Sequence, residues 1–213
     1  MSRIGATEIA VEKKSLHASQ RDTPAVKQQR ADFRKEVATL DVKRFKFLDE
    51  SGINLSLTRL YGRAAPHQRV VDRVPLPSGP HTTTLAVIEH KGISAPLVLA
   101  GAVTGNIFYD YLEQCVVPTL QAGDILFMDN LSAHKVAGIA TLIEACGARL
   151  IYLPPYSSDF NPIELVWSKV KTILRRLKAR TFPDLINALN EALLAITTQD
   201  IRGCFAHCGY AIN

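Results

Sequence analysis

The sequence predicts an α/β domain with a mixed, five-stranded sheet flanked by helices. Three observations carry that reading. Two β-rich stretches, Thr82–Glu89 and Ile93–Leu99, are separated by the short turn His90-Lys91-Gly92, the layout of a hairpin. Ile125-Leu126-Phe127-Met128 is wholly apolar, which fits a central strand covered on both faces. From there to the C-terminus strand and helix patterns alternate. A hairpin-led antiparallel part joined to alternating elements gives a mixed sheet with helices on its faces.

The elements follow in chain order. Residues 1–40 are polar and mixed in charge, with eight basic residues from Arg3 to Lys35, and read as a basic, helical arm or connector. Within them Thr23-Pro24 is a capping residue followed by proline at the first helical position, which predicts a helix over about 24–38. The domain proper spans 41–213. Phe45, Phe47 and Asp49 alternate with Lys46 and Leu48 as in a strand that gives out at Asp49-Glu50-Ser51-Gly52. The hairpin comes next. Phe108, Leu112, Cys115 and Val116 repeat at helical spacing until Pro118. After the apolar strand, His134–Ala145 reads as a helix ended by Gly147, and Arg149–Leu153 as a strand stopped by Pro154-Pro155. Helices over Pro162 to about Arg180, and about Asp184 to Ile196, complete the chain.

Composition narrows the function classes. With 213 residues, 47% hydrophobic and 21% charged, the chain can bury a full core without disulfide or metal staples. No apolar run approaches the roughly 20 residues that span a bilayer, and Met1–Ala10 lacks the layout of a secretory signal. The four cysteines form no CxxC pair, which fits a reduced cytoplasmic setting. Cys204, His207 and Cys208 lack a fourth zinc ligand in a recognisable motif. Lys plus Arg number 25 against 20 acids, a net +5 that permits a polyanionic partner.

Three carboxylates stand out. Asp49 and Asp129 each follow an apolar strand, and ligand sites in open α/β sheets lie beyond the carboxyl ends of strands. Taken singly, an acid in that place is more often a turn or capping residue. Glu164 has a strong structural alternative, because Asn161-Pro162-Ile163-Glu164 is laid out as a capping box. The stiff approach Pro154–Phe160 nevertheless suits a helix start held at a fixed place near the strand ends. Three such acids suit phosphodiester chemistry. Two Mg²⁺ ions about 3.5–4 Å apart stabilise the attacking and leaving oxygens, and Mg²⁺ takes hard oxygen ligands, only a few of them from protein.

The segments Phe47-Leu48-Asp49-Glu50-Ser51-Gly52, Met128-Asp129-Asn130-Leu131-Ser132-Ala133-His134-Lys135 and Leu153-Pro154-Pro155-Tyr156-Ser157 through Asn161-Pro162-Ile163-Glu164 resemble the DDE transposases of the mariner superfamily, in particular their bacterial insertion-sequence branch. Thirty-four residues separate Asp129 from Glu164, the interval typical of that family, and the resemblance covers about 40–213. It implies an RNase H-like fold and DNA transposition: metal-dependent cleavage at transposon ends, first by water, then strand transfer by the released 3′-hydroxyl into target DNA. It implies Asp49, Asp129 and Glu164 as catalytic residues and ligands for two Mg²⁺ ions, with Mn²⁺ as a substitute. The partners implied are double-stranded DNA (terminal inverted repeats and target), a second copy of the chain on that DNA, and a separate helix-turn-helix polypeptide. The expected location is a bacterial cytoplasm, at the nucleoid.

Two departures qualify the resemblance. Ser158 stands where the family usually has proline, which should loosen the approach loop without removing a ligand. The family's N-terminal helix-turn-helix region has no counterpart in this sequence, and residues 1–40 look like the connector that follows it. A split or truncated element is therefore expected. A non-catalytic DNA-binding remnant and an RNase H-like host nuclease are the alternatives.

Further residues group around the acids. Asn130, His134 and Asn161 are candidates for orienting the ligands. The helix after Glu164 places Ile163, Val166, Val170, Ile173 and Leu177 on one face and carries Lys169, Lys171, Arg175 and Arg176, which with Lys135 and Arg63 are the candidate DNA contacts. Trp167 reads as a packing residue. Arg59, Arg63, His67 and Arg69 mark a second basic stretch.

Overall fold

The computed structural model describes residues 18–75, 81–130 and 137–211. They form one five-stranded sheet built from β1 (Phe45–Ile53), β2 (Thr82–Glu89), β3 (Gly92–Ala100), β4 (Ile125–Met128) and β5 (Arg149–Tyr152), in the order β3-β2-β1-β4-β5. The pairs β1–β2 and β2–β3 are antiparallel, whereas β1–β4 and β4–β5 are parallel. The sheet is therefore mixed, as the hairpin and the later alternation predict. The helices are α1 (Pro24–Val37), α2 (Gly105–Tyr111), α3 (Ile139–Glu144), α4 (Pro162–Leu177), α5 (Phe182–Leu194) and α6 (Thr198–His207).

Strand alternation divides the core into two layers, since successive side chains point to opposite faces. Phe45, Phe47, Ala86, Ile88, Ile125 and Phe127 pack against α1, α4, α5 and α6 through partners such as Phe33, Ile163, Leu189 and Phe205. Leu48, Leu85, Val87, Leu126 and Met128 pack on the other face against Phe108, Leu112, Ile139 and Ile143. A buried Phe contributes about 1.5–3 kcal/mol relative to leaving it exposed. The first layer forms an aromatic floor in which Phe33, Phe45 and Phe47 each contact the Phe127 ring and Phe205 contacts Phe47.

Several boundaries differ from expectation. β1 does not give out at Asp49; it runs on to Ile53 because β2 pairs along its whole length, Asp49 lying opposite Ala86. The helix expected over His134–Ala145 begins, among the described residues, only at Ile139, after Gly138 at φ 93°. Leu131–Val136, and with them His134 and Lys135, lie outside the described residues. α4 stops at Leu177, where Lys178 turns left-handed at φ 53°, short of Arg180. Thr23 precedes α1 as expected but its hydroxyl donates to the Gln20 carbonyl and caps nothing. Helix α6 was not foreseen at all.

Candidate active site

Two rows of side chains on the α4 face of the sheet end in carboxylates. Phe45, Phe47 and Asp49 share that face of β1 by strand alternation. Ile125 and Phe127 share it on β4, and Asp129 follows the strand end. Phe47 and Phe127 are partners in the parallel register and stack with ring centroids 4.7 Å apart. Asp49 and Asp129 thus sit two residues beyond the last position at which β1 and β4 pair with each other. Helix α4 covers this layer with Ile163, Val166, Trp167 and Val170, and its first turn brings Glu164 over the strand ends. Asp49, Asp129 and Glu164 line one cavity of about 570 Å³, together with Asn130, Asn161, Tyr156 and Arg21.

Glu164 is not used as a cap. No side-chain capping bond forms at Asn161, and the Asn161 amide donates to the Ser158 carbonyl at 3.0 Å. The electrostatics agree with a crowded, partly dry cluster. Asp49 is 6% exposed. Burial, then the charges of Glu164, Asp129 and Glu50, push its carboxyl up to about 8 against the lowering effect of a hydrogen bond from the Glu50 amide. The Glu164 carboxyl is also raised: burial lifts it, Lys171 opposes, and Asp129 adds to the rise.

The donor set suits a divalent cation. All three acids offer hard oxygens. Asn161, 4% exposed, presents a buried Oδ1 that accepts no hydrogen bond; an acceptor left so costs about 1–3 kcal/mol. Among the described residues no group of three or more His, Cys, Asp or Glu side chains lies close enough together to hold a metal ion as placed. The acids share a cavity open to further ligands. Mg²⁺ needs only one or two carboxylates from protein and completes its shell with water and phosphate.

The remaining candidates fall in different places. Asn130 is exposed at the cavity, and Asn161 lies in its wall. Lys171 acts on Glu164, whereas Lys169 is bound to Asp200 at 2.6 Å. Arg175 and Arg176 form a groove with Arg59, Leu60 and Tyr61, so the two basic stretches meet there. Arg63 lies in the exposed segment 59–74. Trp167, 3% exposed, is a core residue as expected. Arg180 instead serves the fold, donating to the carbonyls of Leu55 and Leu57. Arg21, the cation that reaches the acid cavity from the N-terminal segment, was missed. It is one of eight basic residues before position 41, and nothing in the sequence distinguishes it.

The loop between β5 and α4 is firmly held although Ser158 replaces proline. Ser158–Phe160 make a single tight turn. Tyr156 at its rim is left-handed at φ 56°, and Ser157, Asp159 and Phe160 are each tied to other elements.

Residues 44–186 match the family model of the DDE superfamily endonuclease. A comparison with curated protein sequences finds no match. Among solved structures, the Mos1 strand transfer complex superposes with a TM-score of 0.74 at 15% identity, over 97% of this chain and 64% of the Mos1 chain. The Mos1 mariner paired-end complex with Mn gives 0.74 at 14% identity, over 97% and 65%. The isolated catalytic domain of Mos1 mariner transposase gives 0.65 at 13% identity, over 93% and 94%. The chain therefore has the RNase H-like fold of that catalytic domain and spans about two-thirds of the Mos1 chains in the complexes.

Proposed function

Because the chain belongs to the DDE superfamily endonucleases, we propose that it is the catalytic domain of a DNA transposase of the mariner superfamily, from the insertion-sequence branch. It cleaves phosphodiester bonds at transposon ends and joins the released 3′-hydroxyl to target DNA. The observation that carries this reading is the single cavity that Asp49, Asp129 and Glu164 line from three separate parts of the chain. Those three residues would hold two Mg²⁺ ions, with Mn²⁺ as a substitute. When bound, such ions supply charge stabilisation to the attacking and leaving oxygens of a phosphodiester.

The chain's own contribution is positional. The aromatic floor fixes Asp49 and Asp129, and α4 sets Glu164 across from them. Asp49, buried among acids, has its carboxyl raised to about 8, and a bound cation would favour its ionised form. Asn161 stands in the cavity wall and Asn130 at its mouth. Lys171, Arg175 and Arg176 run along α4 away from Glu164, a path suited to a phosphate backbone. Two ends must be brought together, so a dimer of this chain on paired terminal repeats is proposed, assisted by a helix-turn-helix polypeptide that recognises them. No protein nucleophile is required.

The test is a nicking assay on duplexes carrying the element's terminal inverted repeats with Mg²⁺ or Mn²⁺. Nicking by the wild-type chain, abolished by Asp129→Asn with DNA affinity retained, is the expected result. Equal nicking by that variant removes Asp129 from the site. Binding without cleavage under either metal would mark a regulatory remnant, and cleavage confined to RNA strands a host nuclease.

A further inference from the structure

We infer that Arg30 is a positioning residue for Glu164: helix α1, which lies outside the family match, fixes the loop that carries the third carboxylate to the cavity. The inference rests on the function proposed above. Arg30 is only 8% exposed, and a buried guanidinium is costly unless paired and hydrogen-bonded. Its partners all lie in the loop. Nη1 and Nη2 grip the Asp159 carboxylate as a fork at 3.0 and 2.7 Å, and Nη1 also donates to Ser157 Oγ at 2.6 Å. The guanidinium lies 4.2 Å from the centroid of the Phe160 ring. A planar fork defines direction as well as distance, which a lone ammonium does not.

The tie propagates along the chain. Ser157 Oγ donates onward to the Pro155 carbonyl at 3.0 Å. Phe160 is held by Phe33 of α1, stacked at 5.3 Å, and by the Tyr210 hydroxyl donating to its carbonyl at 2.7 Å. Asn161 follows immediately and opens α4, so the place of Phe160 sets the place of the first helical turn. Arg21 adds a second cation to Asp159 at 3.0 Å while also lining the acid cavity. Burial would raise the Asp159 carboxyl, but the hydrogen bond and charge of Arg30, helped by Arg21, bring it below the ordinary value. Two arginines, one carboxylate and one ring thus link the N-terminal segment to the loop that leads into Glu164.

The experiment compares the full wild-type chain with Arg30→Met, Asp159→Asn, the double variant and Arg30→Lys. It reads Mn²⁺ affinity by electron paramagnetic resonance, amide hydrogen exchange peptide by peptide, and the melting temperature. Each single variant is expected to bind Mn²⁺ about tenfold more weakly, as when outer partners of metal ligands are removed. The double variant should bind no more weakly than either single one, because both remove the same contact. Arg30→Lys, which keeps the charge without the fork, should fall between. Exchange should quicken over residues 156–165 and stay unchanged in β4. Mn²⁺ affinity within about twofold of wild type in folded variants would overturn the inference, leaving Arg30 a fastener of α1 only. Faster exchange confined to α1 would do the same. If Arg30→Met does not fold, Asp159→Asn, whose side chain is 38% exposed, carries the test. If the wild type binds no Mn²⁺, the proposed function fails, and exchange over residues 156–165 alone decides whether Arg30 fixes the loop.

Discussion

Helices α4 and α6 start with the same arrangement of residue types and put it to opposite use. Each has a capping residue before the first turn and an acid at the third helical position, Asn161 with Glu164 and Thr197 with Asp200. At α6 the box closes: the Thr197 amide donates to the Asp200 carboxylate at 2.9 Å, and the Asp200 amide to Thr197 Oγ1 at 3.1 Å. Hydrogen bonds from Lys169, the Thr197 hydroxyl and the Thr197 amide hold the Asp200 carboxyl at about 2. At α4 neither bond forms, and the Glu164 carboxyl is raised by burial despite Lys171. The approach makes the difference. Thr197 is the third residue after α5 and is exposed, whereas Asn161 ends a loop clamped by Arg30, Phe33 and Tyr210, with its own amide committed to Ser158. An acid satisfied by its own helix is a fastener, and one denied that partner is available to a ligand.

The contrast can be broken most directly by exchanging the acids' roles. Glu164→Gln should lower DNA cleavage by about a thousandfold, the upper end of what losing one charge-stabilising group costs. Thr197→Ala should cost about 1 kcal/mol of stability as a lost cap and leave cleavage unchanged; single-turnover nicking and urea melts read the two effects. Comparable loss of cleavage in both variants would erase the distinction.

Next in size is the energetic cost of crowding the acids. The Asp49 carboxyl is raised in the folded protein to about 8 from 3.8, so the folded state holds the proton more tightly than the unfolded chain. Stability of the metal-free protein is then fullest below about pH 4 on this account and is lost as pH rises toward 8. Asp49→Asn should remove that decline and stabilise the protein at pH 8 by on the order of a few kcal/mol. Denaturant unfolding in EDTA across this range reads it, and a flat wild-type profile contradicts it.

Smaller effects sharpen the same comparison. Lys171→Ala should reduce the salt dependence of DNA binding by about one unit of slope, as for the loss of one phosphate contact. Lys169→Ala should change the slope less, because Asp200 already engages Lys169. Fluorescence anisotropy at several salt concentrations separates them.

Much of this fold is written in local patterns. Ile125–Met128 followed by Asp129 marks a buried strand ending in an acid, and Phe45, Phe47 and Asp49 show the alternation that puts Asp49 on the α4 side. Where β1 ends is not local, since its continuation past Asp49 depends on pairing with a strand some thirty residues onward. Helix α6 buries only Ile201 and Phe205, too few apolar residues for its period to stand out, although its capping signature was present. From four residues Glu164 cannot be told from a cap, because the deciding contacts come from α1 and from Tyr210 at the far ends of the chain. Arg21 and Arg30 were invisible for the same reason.

The pairing of β1 with β4 has one last consequence. Backbone hydrogen bonds keep neighbouring strands about 4.7–4.9 Å apart whatever their side chains, and Phe47 and Phe127 are held in register by that pairing. The spacing of the Phe47–Phe127 pair, from which the chain runs two residues further to Asp49 and to Asp129, is therefore graduated by the peptide unit itself. Substitutions can change what hangs from the ruler, but only unzipping the sheet can change its scale.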